Sequence, residues 1–493
     1  MKNFNSLVNL IKKLSEEELK SLLKFMKYYG EKSNISKSIE LVEIILNAKE
    51  YNALNIQKQL YKGTNQHAFN KLIDRLKNKI LEVLLFNSNI SKDIYPERVR
   101  VIFDLKKKLI QCDVLSLKGL RDDGDLLCRK IIAKAEKYEL FDIVLNALII
   151  RQRFVNIRKK QVEVKGIQKG IQIAENKHKS VLNSQIIYNS ILNKINNASD
   201  SFSYFEELKF SIEQIEEEYK LYDCDIVCYY LYFLKTELFQ IEEKFEGAGD
   251  CLLKINVLLS KKSIYSDNRK GTALLNISNN NIFLNKFNDA IIFAADARKY
   301  FPNNIFNQAL VDEYLFYTNF YLGNFKKANE IINRLVNLPK ANIILFSINK
   351  WNYFNAVLDF VNKNYQFSIS KLSNIVEIDK DKEGWNINKR LLLIMCRIEL
   401  QQFESADLQV NSLEKFIKRS LKKRDIRLRY IYILRILIKL INSNYNFRQV
   451  YESRMRYFQM IDSEEISLKW KIKSPELIKF DDWFKSKFIN YLH

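Results

Sequence analysis

The chain has 493 residues, 47% of them hydrophobic and 13% aromatic, which is ample material for packed cores and excludes a disordered chain. Eleven Gly and four Pro are too few for a β-rich or collagen-like chain, whose turns and bulges demand both. A formal charge of +22 argues about association rather than fold, while three His and six scattered Cys offer little for metal or nucleophile chemistry and no disulfide scaffold. Long helices with few breakers are what such a composition favours.

From the N-terminus, Met1 to Lys13 reads as an amphipathic helix and not a secretory signal, because Asn3, Asn5, Asn9 and Lys12 interrupt its apolar residues. Apolar spacing then predicts helices over 16–29, 38–48, 54–61 and 65–86, forming an N-terminal helical domain of residues 1–90. A short helix, the Lys62-Gly63-Thr64 turn and a basic helix fit a helix-turn-helix, with Lys71, Arg75, Lys77 and Lys79 facing nucleic acid. A plain helical cap explains the same stretch, since Phe69, Leu72, Ile73, Leu76 and Ile80 follow a packing pattern.

Farther on, Asp122-Asp123-Gly124-Asp125 lacks the later bidentate Glu of a calcium loop and reads as a polar inter-helix turn. Arg151, Arg153, Arg158, Lys159 and Lys160 form a basic cluster. His67 falls near a helix start and His178 in a polar turn over 176–180, neither beside a visible nucleophile. Cys224 and Cys228 share a helix face with no His nearby, among Tyr229, Tyr230 and Tyr232. The longest apolar run, Ile226 to Leu234, is nine residues, well short of the roughly 20 that span a bilayer. No phosphate-cradling glycine loop or dinucleotide fingerprint occurs. The expectation is a soluble, cytoplasmic, non-enzymatic chain without metal or cofactor, its thiols unpaired in a reducing compartment.

One phrase recurs: a polar residue, an aromatic, two spacers, a small residue and then an apolar helix. Its aromatics are Phe245, Phe287, Phe325, Tyr365 and Phe403, spaced 42, 38, 40 and 38 residues apart, and the small residues are Ala248, Ala290, Ala328, Ser368 and Ala406. The phrase predicts a helical hairpin in which the aromatic wedges against the first helix and the small residue lets the backbones approach. Pro302, Pro339 and the polar stretch from Asp379 to Gly384 stop the second helices.

Tyr321-Leu322-Gly323-Asn324-Phe325-Lys326-Lys327-Ala328, ending at Pro339, and Phe287, Ala290, Ala297 and Pro302 resemble the tetratricopeptide (TPR) family. The periods exceed that family's usual 34 residues, and Phe316 stands where its first-helix glycine would fall. The resemblance covers 205–423 and extends back toward Pro96, where Lys137-Tyr138-Glu139-Leu140-Phe141 lies in a similar context. With the ending Phe480-Asp481-Asp482-Trp483-Phe484, the chain is similar to a group of bacterial TPR-like proteins. The resemblance implies an all-α, right-handed α-solenoid of TPR-like hairpins over 91–423, with a concave groove. A C-terminal cap is expected over 424–493, with helices over 427–441 and 475–492, the latter carrying a core-facing aromatic stripe.

From Lys415 to the C-terminus, 19 Lys or Arg stand against 8 Asp or Glu. Such an excess attracts acidic proteins, phosphate backbones or anionic lipid; biased coding composition on solvated helices would leave the same trace. The leading expectation is a protein-interaction scaffold whose groove takes a partner peptide, acidic if its contacts include Lys415, Lys418, Arg419, Lys422, Lys423, Arg424, Arg427 and Arg429. The alternative is a nucleic-acid-binding regulator whose N-terminal head reads through Lys71, Arg75 and Lys79.

Overall fold

A computed structural model describes residues 2–29, 32–47, 51–61, 65–86, 96–156, 161–197, 201–302, 304–339, 345–377, 384–421, 428–465 and 468–489. Among the described residues every regular element is a helix. The chain divides into two compact units, residues 1–174 and 175–493. The span expected as one repeat array is thus shared between them.

The first unit opens with α1 (Lys2–Lys12), α2 (Glu16–Tyr29), α3 (Lys32–Asn47), α4 (Ala53–Tyr61) and α5 (Gln66–Phe86). A capping box starts α2: the Glu18 N–H donates to Ser15 Oγ at 3.3 Å, and Glu18 Oε2 accepts the Ser15 N–H at 2.8 Å. Phe4, Leu7, Ile11, Leu22, Met26 and Leu76 meet in the core of these helices. A second core joins α6 (Glu97–Leu117), α7 (Arg121–Lys137), α8 (Phe141–Asn156) and the beginning of α9 (Gln161–Asn197). The aspartate run is the first turn of α7, not a loop: a Cβ on Gly124 would sit 2.4 Å from the Phe154 ring, so glycine there permits the α7–α8 approach. The polar turn expected around His178 is likewise absent. With no Gly or Pro between 176 and 180, α9 runs through it for 37 residues.

The second unit continues with a 3₁₀ turn over 201–204 and then α10 (Phe205–Tyr222), α11 (Asp225–Ile241), α12 (Phe245–Leu258), α13 (Asp267–Phe283) and α14 (Phe287–Arg298). There follow α15 (Ile305–Tyr321), α16 (Phe325–Val336), α17 (Leu345–Val361), α18 (Tyr365–Ser373), α19 (Trp385–Glu399) and α20 (Phe403–Leu421). Each helix packs on the next, giving five hairpins: α11/α12, α13/α14, α15/α16, α17/α18 and α19/α20. Every hairpin turns through the same corner. A residue with left-handed backbone follows the first helix: Glu243, Asn285, Gly323, Lys363 or Gln401, with φ of 57°, 58°, 75°, 63° and 56°. The next N–H then donates back five residues, as Lys244 does to Phe239 at 2.8 Å and Asn364 to Asp359 at 2.8 Å, so the orphan helix-end carbonyls are satisfied by main chain alone. The same corner stands at Glu139 between α7 and α8, where Leu140 donates to Ala135 at 3.0 Å.

Ala248, Ala290, Ala328, Ser368 and Ala406 are all fully buried, as the closest helix approach requires. The aromatics behave less uniformly. Phe325 and Tyr365 meet their own first helix at Phe320 and Phe360, ring centroids 5.7 and 5.3 Å apart. Phe245, Phe287 and Phe403 stack instead on rings that follow, Phe283, Tyr321 and Tyr445, at 4.7, 5.9 and 4.2 Å. Three of the five therefore join hairpins rather than close them. Phe316 is buried and stacks on Phe354 at 4.5 Å, so an aromatic contact between first helices stands where the TPR glycine was missed.

The end of the unit comprises α21 (Leu428–Asn442), α22 (Phe447–Ser453), α23 (Met455–Ile461) and α24 (Phe480–Ile489). Phe480, Trp483 and Phe484 face the core, as the stripe predicts. The last helix begins at Phe480 and not at Pro475, because Glu476 Oε1 accepts the Phe480 N–H at 2.9 Å and residues 468–479 run without helix across the hairpins.

Candidate peptide-binding face

The first helices α13, α15 and α17 present Asn279 and Phe283, then Tyr314, Tyr317 and Tyr321, then Tyr353, and the corner after α11 presents Glu243. Across these residues lies the segment Lys469–Pro475 of the same chain. Its lysines are two residues apart, and the chain turns at the last of them, where the Ser474 N–H donates to the Lys471 carbonyl at 3.1 Å. Lys471 pairs with Glu243 at 2.6 Å and Lys469 approaches the same carboxylate at 3.8 Å. Lys473 enters an aromatic cage: its ammonium lies 4.1 Å from the Tyr314 ring centre, 5.3 Å from Tyr317 and 5.6 Å from Phe283, and it donates to Asn279 Oδ1. Trp470 packs edge-on to Tyr321 at 6.1 Å.

Two phenols hold the segment's main chain. Tyr321 Oη accepts the Lys473 N–H at 3.3 Å, and Tyr353 donates to the Pro475 carbonyl at 2.9 Å. Burial pushes the phenols of Tyr314, Tyr321 and Tyr353 well above the usual tyrosine range, so they stay neutral at any physiological pH. Lys473 itself has φ 62°, the left-handed position of the tight turn that the Ser474 N–H closes on the Lys471 carbonyl, a conformation that costs a non-glycine residue. Beside the segment, a cavity of about 390 Å³ opens among Phe245, Phe283, Asn285, Ser463 and Trp470.

Arg429 anchors both ends. Its guanidinium bonds Glu476 through two nitrogens at 2.7 Å, reaches Asp481 at 2.8 Å, and also donates to the carbonyls of Ile461 and Leu468. Residues 468 and 476 therefore meet at one buried cation, and the residues between them form a loop over the face. Arg429 is 1% exposed. It thus corrects its expected place among partner-binding cations: its hydrogen-bonding capacity is used inside the protein.

Lys415, Lys418 and Arg419 are exposed on α20, the second helix of its hairpin, whereas the loop lies on first helices; Lys418 pairs with Glu414 at 2.7 Å. Lys422, Lys423, Arg424 and Arg427 lie outside the described residues. Much of the remaining C-terminal charge has internal partners: Lys479 and Lys485 reach Asp462 at 2.8 and 4.0 Å, and Lys487 pairs with Glu399. In α5, Lys71 and Arg75 are exposed and Lys79 half-buried, four residues apart along one helix face, while the 62–64 turn is outside the described residues. Arg151 turns inward to Asp125 at 2.9 Å and Glu163 at 2.6 Å, and Arg153 lies 3.7 Å from Asp113; residues 158–160 are not described. Cys224 and Cys228 are buried, and among the described residues no group of three His, Cys, Asp or Glu is placed to hold a metal ion. No helix among them is long and apolar enough to cross a membrane.

Hairpins in sequence, one shared corner, and a small residue buried at each closest approach decide the architecture. The chain is a TPR-like helical-repeat protein. No protein family and no curated protein matches the TPR-like chain in sequence. Among solved structures it is similar to the apo form of RapI, with 15% identity and a TM-score of 0.44 over 73% of this chain and 87% of that one. It is also similar to a signal transduction ATPase with numerous domains from Pyrococcus horikoshii that carries a tetratricopeptide repeat sensor, with 14% identity and a TM-score of 0.39 over 84% of this chain and 66% of that one.

Sequence reading missed the loop and its cage. The one available signal was Pro475, which disfavours helix at the residue before it.

Proposed function

We propose that this chain is a non-enzymatic peptide- and protein-binding module whose working surface is the first-helix face from Glu243 to Tyr353. The observation that carries the reading is the loop itself: the face holds a non-helical segment, turned at Lys473, by main-chain hydrogen bonds, a carboxylate and an aromatic cage. Such a set divides the work of peptide recognition, with main-chain bonds supplying affinity and side-chain pockets selectivity. The exposed cations of α20 stand outside this contact set, so affinity comes from phenols, rings and Glu243.

A displayed library of random peptides, panned on the full chain and on a Lys473→Ala chain, tests this. The expected result is enrichment of peptides that lose at least about tenfold in affinity when Tyr314→Ala or Glu243→Gln is introduced, a change of about 1.4 kcal/mol. Enrichment indifferent to both substitutions, or none on either chain, overturns the assignment. Nuclease treatment and a salt series separate nucleic acid from peptide, because phosphate binding falls linearly on logarithmic axes as salt rises.

A further inference from the structure

We propose that Lys469–Pro475 is a resident competitor. The face recognises a non-helical segment carrying a lysine in the position of Lys473, at the turn closed by the Ser474 N–H on the Lys471 carbonyl, and an incoming peptide of that kind binds by lifting this loop. This deepens the preceding reading and rests on it.

The occupant's chemistry follows from what the face already holds. Phe283, Tyr314 and Tyr317 surround an ammonium, Asn279 takes one of its protons, and Glu243 takes a cation two residues earlier in the segment. A carboxylate in the cage would meet the negative faces of three rings, so the partner is basic at this point, opposite to what the net charge of the chain suggests.

The loop is built to lift without unfolding its surroundings. Arg429 holds Leu468 and Glu476, the two stems, from a fully buried position, and α24 is sealed below by Phe480 and Phe484. The two lysines that lead into the cage are held by weaker means than Lys473 itself. Lys469 and Lys471 are more than a third exposed where they meet Glu243, and water competes for such pairs. Lys473 sits in left-handed backbone, which costs a non-glycine residue. The open cavity beside Trp470 gives an arriving chain a place to begin.

The test uses a labelled peptide with the sequence of residues 469–475, Lys-Trp-Lys-Ile-Lys-Ser-Pro, read by fluorescence anisotropy. A full chain whose residues 469–474 are replaced by Gly and Ser, shown folded by circular dichroism, is expected to bind it at least tenfold tighter than the unaltered chain. Norleucine in place of the third lysine, or Tyr317→Ala in the protein, is expected to remove that gain. Equal affinity for the two chains, or no binding by the folded replaced chain, overturns the proposal. If library peptides still require Tyr314 and Glu243 in that event, only the competitor has failed and the binding face stands. Should the replacement not fold, Lys473→Ala serves instead: tighter peptide binding is expected, and unchanged affinity overturns the idea.

Discussion

Arg429 shows how a single side chain can be misread from charge alone. In the sequence it closes a basic run, and in the fold it is a buried cation with two carboxylates and two carbonyls as partners. Its guanidinium is penalised by burial, but Glu476 and Asp481 more than offset that and hold it charged. Removing it leaves Glu476 buried without a cation and Asp481 with Lys479 alone, so Arg429→Ala is expected to cost about 3–5 kcal/mol, seen as a lower urea midpoint. A change within about 0.5 kcal/mol would mean the network is not closed. Asp125 offers a pH-dependent counterpart. Burial alone would raise its pKa, but hydrogen bonds from Arg151 and Arg129 bring it below the usual aspartate value. A folded pKa below the unfolded value of about 3.9 stabilises above that pH and is lost as pH falls through the folded value. The melting-temperature difference between wild type and Asp125→Asn should therefore stay level from about pH 7 to 5 and shrink below about pH 4. A difference unchanged down to pH 2 would contradict the pairing.

Among the elements, the corners carry the clearest test. Gly323 has φ 75° with nothing near the site of a Cβ, so Gly323→Ala isolates the backbone cost: roughly 1–2 kcal/mol for left-handed alanine, less about 0.4–1 regained from the stiffer unfolded chain. A net loss near 1 kcal/mol is expected in thermal melts. Lys363, exposed at φ 63°, should give the reverse sign, with Lys363→Gly gaining a few tenths to about 1 kcal/mol. The hairpins were legible because each makes two demands that few residues meet, a small residue at the closest approach and a break before the aromatic. What the aromatic touches was not legible. The same local phrase sends Phe325 back to Phe320 and Phe287 onward to Tyr321, since a ring's partner is set by the neighbour's packing. His178 fell to a similar limit, for a polar stretch without Gly or Pro is as compatible with a solvated helix as with a turn.

Over the whole molecule, the hidden feature was the loop, whose contacts join residues 122, 152 and 194 positions apart. Separations of that length leave no periodicity, and the lysines involved looked like one more part of a basic tail. Limited trypsinolysis exposes the difference. Lys469, Lys471 and Lys473 lie in non-helical chain, yet their side chains, and the main chain at Lys473, are held on the face. Early fragments identified by mass spectrometry should leave them uncut, and rapid cleavage there would show that the segment does not rest on the hairpins.

The loop also acts as a ruler. It touches Glu243, Asn279, Tyr321 and Tyr353, one landmark on each of four consecutive hairpins. Tandem arrays ordinarily gain or shed whole copies with little penalty, because each copy meets only its neighbours. Here an added or lost copy between those landmarks would shift every later one by roughly the 8–10 Å of one helix layer, beyond the reach of a segment fixed at both ends. Copy number is frozen from Glu243 through α19/α20 to Arg429, whose side chain fixes both ends of the segment.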